Sequence, residues 1–244
     1  LFYTNGITPN YDDFINIKCE LKEQNIEIPK YVGNGNLIPI GGGKDSNVTL
    51  EIMKSDFEDN LCFIINPKQV TLSCANEKIV TVKRTIDKNL IELNKQGFIN
   101  GHTPFSALVA FLSYFNAYIT GKKYILLSNE SSANESNVDG TKINHQYSKT
   151  YEFECDFNEY TKKYFKIDIK YFSLLRPLSE YQIAMLFSNY EKYHEIFKSC
   201  NVGSKKEPWH WCCSCPKCLF VYIILSPFLY KEKLIRIFGE DLFE

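Results

Sequence analysis

Leu37-Ile38-Pro39-Ile40-Gly41-Gly42-Gly43-Lys44-Asp45-Ser46, running on into Asn47-Val48-Thr49-Leu50-Glu51-Ile52-Met53-Lys54, is the stretch that decides the fold class. A short apolar run stops at three glycines, and beyond them Val48, Leu50, Ile52 and Met53 are spaced for a helix packed on a sheet. The order is strand, glycine loop, helix. Such a loop leaves backbone N–H groups free to close around an anion at the helix N-terminus. It has neither the Gly-x-x-x-x-Gly-Lys-Ser/Thr spacing of a Walker loop nor the Gly-x-Gly-x-x-Gly dinucleotide fingerprint. A plain capped helix start accounts for Asp45 and Ser46 but not for Lys44 or the third glycine.

Outward from this unit, residues 61–65 read as a second buried strand, 79–84 alternate like a third, and 124–127 and 171–173 add two more. Between them, Thr103 and Pro104 open a helix over 105–119 that stops at Gly121. Further helices are expected over 148–164 and over 179–193, the latter capped by Ser179. Strands alternating with helices predict an α/β fold with a parallel sheet. The polar stretch 128–144 is too long for a mere connection, and long loops after parallel strands usually touch ligands. Three segments follow: a lead-in over 1–36, an anion-binding core over 37–199, and a cysteine-rich C-terminal part over 200–244.

The 244 residues carry 28 basic and 29 acidic side chains, so a net charge of -1 advertises neither nucleic acid nor an anionic membrane as a partner. No apolar run approaches the roughly 20 residues of a membrane span, and a cytoplasmic setting is expected. Among the basic residues only Arg84, Arg176 and Arg236 are arginines, the usual clamps for phosphate and carboxylate. Arg176 follows a short strand, where a side chain at the carboxyl edge faces the ligand crevice of a parallel sheet. Arg236 belongs to a charged terminal helix and reads as surface. Of nine cysteines, four crowd into Cys212-Cys213-Ser214-Cys215-Pro216-Lys217-Cys218. Cys212, Cys215 and Cys218, with Cys200 upstream, have a spacing suited to a structural tetrahedral Zn²⁺. Cys213 is the spare, and whether it or Cys212 faces inward stays open. Cys19, Cys62, Cys74 and Cys155 read as ordinary small core residues.

The hexapeptide 41–46 resembles the Ser-Gly-Gly-x-Asp-Ser signature of the PP-loop ATP pyrophosphatases, with Gly41 at the position of the usual first serine. Further strings resemble one branch of that superfamily, the ATP-dependent UDP-N-acetylmuramoyl-L-alanyl-L-glutamate epimerase (MurL) family. They are Asn100-Gly101-His102-Thr103-Pro104, Ser128-Asn129-Glu130-Ser131-Ser132-Ala133, Asn144-His145-Gln146-Tyr147-Ser148-Lys149, Ser173-Leu174-Leu175-Arg176-Pro177-Leu178-Ser179-Glu180, and Trp211 through Cys218. Where this chain has its Cys212-Cys213 pair, the family pattern usually carries a glycine. The resemblance implies a HUP-like PP-loop fold with a small cysteine-rich metal-binding appendage. It also implies adenylation of the terminal L-glutamate α-carboxylate by ATP, inversion at Cα, and release of AMP and pyrophosphate.

On this reading Gly41, Gly42, Gly43 and Ser46 hold the leaving pyrophosphate, Lys44 offsets its charge and Asp45 binds Mg²⁺. Arg176 and Lys149 neutralise phosphates or substrate carboxylates. His102, Glu130, His145 and Lys149 are the candidates for proton transfer at Cα, without assignment to a face; Glu130 is equally a candidate Mg²⁺ ligand. Two alternatives stand beside it: an enzyme similar to the PP-loop 7-cyano-7-deazaguanine synthases, which also pair the loop with a cysteine-rich zinc site, and a non-catalytic nucleotide-binding module. The chain begins at Leu1 and is expected to be the ATP-activating part of a longer enzyme.

Overall fold

The structure, a computed structural model, describes residues 5–8, 10, 12–16, 18, 30–54, 59–75, 78–98, 104–141 and 143–244. Much of the 1–36 lead-in, together with Cys19, His102 and Thr103, lies outside them. Five strands form one sheet: β1 (Asn36–Pro39), β2 (Asn60–Ile65), β3 (Ile79–Val82), β4 (Tyr124–Leu127) and β5 (Lys170–Ser173). Their order is β3-β2-β1-β4-β5 and every neighbouring pair is parallel. The connections carry helices α1 (Lys44–Ile52), α2 (Gln69–Cys74), α3 (Lys88–Lys95), α4 (Phe105–Thr120) and α5 (Tyr151–Tyr164); α6 (Glu180–Ser188), α7 (Pro216–Leu225) and α8 (Lys231–Phe238) follow. No helix among the described residues is long and apolar enough to cross a membrane.

Alternation along the strands splits the core into two layers. Ile38, Cys62, Ile64 and Leu126 face a cluster completed by Val48 and Leu50 of α1, Ile183 and Phe187 of α6, and the buried faces of α7 and α8. Their neighbours Leu37, Phe63, Ile125, Leu127 and Tyr171 face α4 and α5 through Ala110, Tyr114, Ala117 and Phe157. Strands covered on both faces are near-continuous apolar runs, which is why 61–65 and 124–127 are legible without a period of two. Phe157, stacked on Phe153 and tilted against Tyr171, contributes about 2–3 kcal/mol by burial alone. The 200–244 segment is not set apart from this core: Cys200, Trp211, Cys218, Tyr222 and Leu234 belong to the same cluster as Ile38 and Ile64.

Local chemistry moves several element ends from where the sequence places them. The 148–164 helix begins at Tyr151, because the Thr150 hydroxyl accepts from the Phe153 N–H and caps it; 147–149 form a separate 3₁₀ turn. The 179–193 helix has the expected Ser179 cap, reinforced by Gln182, but ends at Ser188. From there the chain turns to seat Tyr193 and Phe197 in the core, and the Tyr193 hydroxyl donates to Glu51 Oε1 at 2.6 Å. Pro104 occupies the cap position of α4 rather than its first turn, and Gly121 closes that helix with φ +71°. Cys62 and Cys74 are buried as expected, but Cys155 is exposed on α5. Arg236 is exposed, 3.9 Å from Glu195.

Candidate active site cleft

The chain reverses its direction of winding between β1 and β4, and at such a switch point the carboxyl ends of the strands open a crevice. A cleft of about 510 Å³ lies there. Gly41, Gly43, Asp45 and Ser46 form one side, Leu127, Ser128 and Asn129 the end of β4, and Lys149 and Lys198 bring positive charge from two further segments. Close approach requires glycine at two of the three positions. Gly42 has φ +82°, and a Cβ on it would stand 3.1 Å from Val70; one on Gly43 would stand 2.8 Å from the Ser199 hydroxyl. Gly43 caps α1 in extended conformation without a side-chain cap bond, so the first-turn N–H groups have no intrahelical acceptor. The Gly42 carbonyl accepts from the Lys198 N–H at 2.8 Å, which joins the loop to the C-terminal part of the chain.

Lys44, which the resemblance gives the task of offsetting pyrophosphate charge, is 2% exposed and does not line the cleft. Its ammonium donates to Asp45 and to Glu180 at the start of α6. Burial alone would lower the Lys44 pKa, but these carboxylates outweigh it and hold it above the ordinary lysine value. Burial has the larger say at Glu180, whose pKa is raised despite Lys44. Asp45 is both a partner of Lys44 and a cleft residue. Lys198 is half-buried: burial lowers its pKa, and its Nζ donates to the Glu195 carbonyl at 2.9 Å.

Arg176 likewise has internal partners. Its Nη1 donates to the Glu130 carbonyl at 3.1 Å, and its Nη2 to the Lys149 carbonyl at 2.8 Å and to Glu154 Oε2 at 3.3 Å. It borders a separate hollow of about 790 Å³ with Asn134, Asn144 and Tyr147, not the glycine-loop cleft. One guanidinium thus ties together the loop after β4, the turn before α5, and α5 itself. Of the four proton-transfer candidates, Lys149 lines the cleft and Glu130 sits one residue beyond Asn129 on its rim. His145 is exposed, its N–H donating to Asn137 Oδ1, and the Ser136 hydroxyl donates to the Ile143 carbonyl in the same loop; His102 lies outside the described residues.

Beside the cleft, and sharing Gly41, Phe105 and Trp209 with it, lies a hollow of about 350 Å³ lined by Phe63, Ile65 and Val109. Trp209 is held by its Nε1–H to the Cys200 carbonyl at 3.3 Å, with Lys68 Nζ 5.7 Å over its ring. Lys198, Ser199, Trp209 and Glu180 are the site residues sequence reasoning missed. Only Glu180 stood within a quoted string, and the others reach the cleft through contacts no local pattern announces.

The cysteine region resolves the open choice at 212–213. Cys200, Cys212, Cys215 and Cys218 bring their four Sγ atoms within 4.8 Å of one another. Cys213 has φ +56° and turns its sulfur to the Phe238 carbonyl. None of the described cysteines forms a disulfide.

Residues 2–174 match the MurL N-terminal domain and residues 196–244 the MurL C-terminal domain. The UDP-N-acetyl-alpha-D-muramoyl-L-alanyl-L-glutamate epimerase of Xanthomonas oryzae pv. oryzae is 37% identical over 217 residues, which cover 85% of this chain and 48% of the relative. Enzymes of the same name from Salinispora tropica and a Micromonospora species are also 37% identical, over 217 and 214 residues covering 86% and 84% of this chain. The chain spans about half the length of the curated relatives it matches. The two matched segments are the two that meet at the Gly42–Lys198 bond, and with both domains present in order the chain belongs to the MurL family.

Proposed function

We propose that this chain carries the ATP-activating site of a UDP-N-acetylmuramoyl-L-alanyl-L-glutamate epimerase, built on a HUP-like PP-loop fold and acting in the cytoplasmic assembly of peptidoglycan precursors. The observation that carries the reading is the glycine loop at the β1–β4 switch point, facing two lysines across a cleft, in a chain whose relatives bear that epimerase name. The loop amides and Ser46 receive the pyrophosphate of ATP, and Lys149 and Lys198 offset phosphate charge, a role that Lys44 performs only from behind, by fixing Asp45. Asp45 is the residue placed to hold Mg²⁺, which supplies further charge neutralisation at the phosphates. The hollow beside the cleft, lined mostly by apolar side chains with Trp209 and Phe105 at its edge, is where we place the purine base.

An epimerase gains from ATP for an electrostatic reason. Proton loss from Cα beside a free carboxylate puts a second negative charge next to the first. Acyl-adenylate formation removes the first charge, joining the glutamate carboxylate oxygen to the α-phosphorus as the bond to the β-phosphate oxygen breaks. The Cα proton then becomes acidic enough for a side-chain base, and return of a proton to the opposite face inverts the centre. Hydrolysis of the adenylate releases AMP and the D-glutamate form. Glu130 and Lys149 are the groups we place nearest this exchange, since one Arg176 guanidinium holds both their carbonyls.

The test is solvent exchange. In deuterated water the full-length protein is expected to form AMP and pyrophosphate, and to place deuterium at Cα of the terminal glutamate, only when ATP and the dipeptidyl nucleotide sugar are both present. Asp45→Asn is expected to suppress both. Formation of ADP, or Cα exchange without ATP, overturns the adenylation; tight ATP binding without pyrophosphate–ATP isotope exchange favours a non-catalytic module.

A further inference from the structure

The four clustered sulfurs have a geometry of their own. Sγ–Sγ separations are 3.9 Å for Cys200–Cys215, 3.9 Å for Cys212–Cys218 and 3.5 Å for Cys215–Cys218. A Zn–S bond of about 2.3 Å gives a regular tetrahedron an edge of about 3.8 Å, so these sulfurs stand at the corners of a single-ion site. In an iron–sulfur cluster the cysteines bind different irons joined by inorganic sulfide, which spreads their sulfurs farther apart than one ion's coordination sphere. The sulfurs already have the outer donors that a thiolate centre uses to spread its charge. Cys200 Sγ accepts from the Gly203 N–H at 3.0 Å and the Cys212 N–H at 3.4 Å, and Cys212 Sγ from the Ser214 hydroxyl at 3.6 Å. Cys200 and Cys218 are fully buried, and four thiolates leave no position open for substrate.

The centre also lies directly behind the cleft. Ser199, Cys200, Asn201, Ser204 and Trp209 line the cleft, on the same segment that Cys200 anchors. That segment doubles back tightly, so a Cβ on Gly203 would meet the His210 carbonyl oxygen at 1.9 Å. Its start is bonded to the glycine loop through the Lys198 N–H and the Gly42 carbonyl.

We propose that Cys200, Cys212, Cys215 and Cys218 bind one Zn²⁺ as a closed tetrathiolate centre, and that this ion holds the 198–209 wall against the glycine loop. The metal is structural, and its influence on the cleft is positional. This inference stands apart from the nucleotide chemistry, because its readouts need neither ATP nor turnover.

The intact protein, purified without chelator, is expected to carry one zinc per chain. Exchange with Co²⁺ should give the absorption of a tetrahedral tetrathiolate site. Cys212→Ser should weaken metal retention against a competing chelator by more than about 100-fold, whereas Cys213→Ser should leave it unchanged. Hydrogen exchange should then show the Lys198 amide, and the 198–209 segment generally, losing protection on metal removal while α4 keeps its own. Zinc well below one per chain, iron in its place, or equal metal loss in the Cys213→Ser variant overturns the site. Protection lost alike across the whole sheet overturns the local coupling even if zinc is present. The Co²⁺ spectrum needs no substitution, so a misfolded Cys212→Ser variant leaves the proposal testable.

Discussion

Replacing Lys44 with methionine tests the least expected feature of the loop. The substitution keeps volume and length but leaves two carboxylates without their shared cation, one of them on α6, 136 residues away. Breaking a buried ion pair costs about 3–5 kcal/mol, because the remaining charge is stranded. Here Glu180 is 19% exposed and Asp45 32%, so water relieves part of the cost and the lower end applies, about 3 kcal/mol. For a chain of this size that is a fall in Tm of roughly 6–12 °C. The pH dependence has a definite sign. The folded pKa of Glu180 is raised, so its ionised form detracts from stability above the ordinary carboxylate range, and the deficit vanishes as pH falls below it. Without Lys44 that deficit grows. The difference between Lys44→Met and the parent is therefore largest near neutrality and shrinks toward pH 4. In the parent, the raised Lys44 pKa gives the opposite limb: its contribution is complete below the ordinary lysine value and disappears as pH rises through the folded one. Urea unfolding followed by fluorescence of Trp209 and Trp211 measures each quantity. Lys44→Met combined with Glu180→Gln should recover more than half of the loss, since removing both partners of a buried pair is far milder than removing one. A loss under about 1 kcal/mol at pH 7, or an equal loss at pH 7 and pH 4, refutes the argument from burial.

Gly42→Ala should cost about 1–2 kcal/mol, since alanine at φ +82° is strained and its methyl crowds Val70; an unchanged urea midpoint would contradict this. Lys198→Met should weaken binding of inorganic pyrophosphate by about 10-fold, the loss of one charge-assisted contact, with little change in thermal stability; calorimetry that finds equal affinity removes Lys198 from the anion site. Arg176→Lys cannot reproduce a fork spanning four acceptors, so kcat is expected to fall while KM for ATP changes little, and partial rescue by added guanidinium should distinguish lost positioning from lost folding.

The strand–glycine–helix unit was legible because each part is local: an apolar run, a glycine triplet of which Gly42 needs its left-handed turn, and a helical spacing of apolar side chains. β4 appears at the residues the sequence marked, since a strand buried on both faces between Gly121 and a polar loop has sharp ends. α2 and α3 were not marked. α2 is six residues long with two buried side chains, and α3 buries none, so neither owes its place to an apolar stripe. The cysteine spacing was readable as a set of ligands, but choosing Cys212 over Cys213 needed the left-handed turn at Cys213, which no pattern announced. Lys44 and Arg176 show the limit most clearly. Both were chosen as cations beside an anion site, and both are cations, but their partners Glu180 and Glu154 come from elsewhere in the fold. Of the two lysines that line the cleft, Lys149 ends a quoted string, whereas Lys198 has no motif around it.

The bond from the Lys198 N–H to the Gly42 carbonyl makes the cleft a seam between two pieces of chain. Cut between α6 and Lys198, the protein would yield one fragment holding the loop and another holding the Lys198–Trp209 wall. Neither would enclose a ligand by itself. A molecule bound between them would act as an adhesive, raising the affinity of one fragment for the other by whatever free energy it gains from touching both. For this chain, assembly of the fold and occupancy of the cleft are linked equilibria, because the core shared by the two pieces and the Gly42–Lys198 bond hold the loop and its facing wall together.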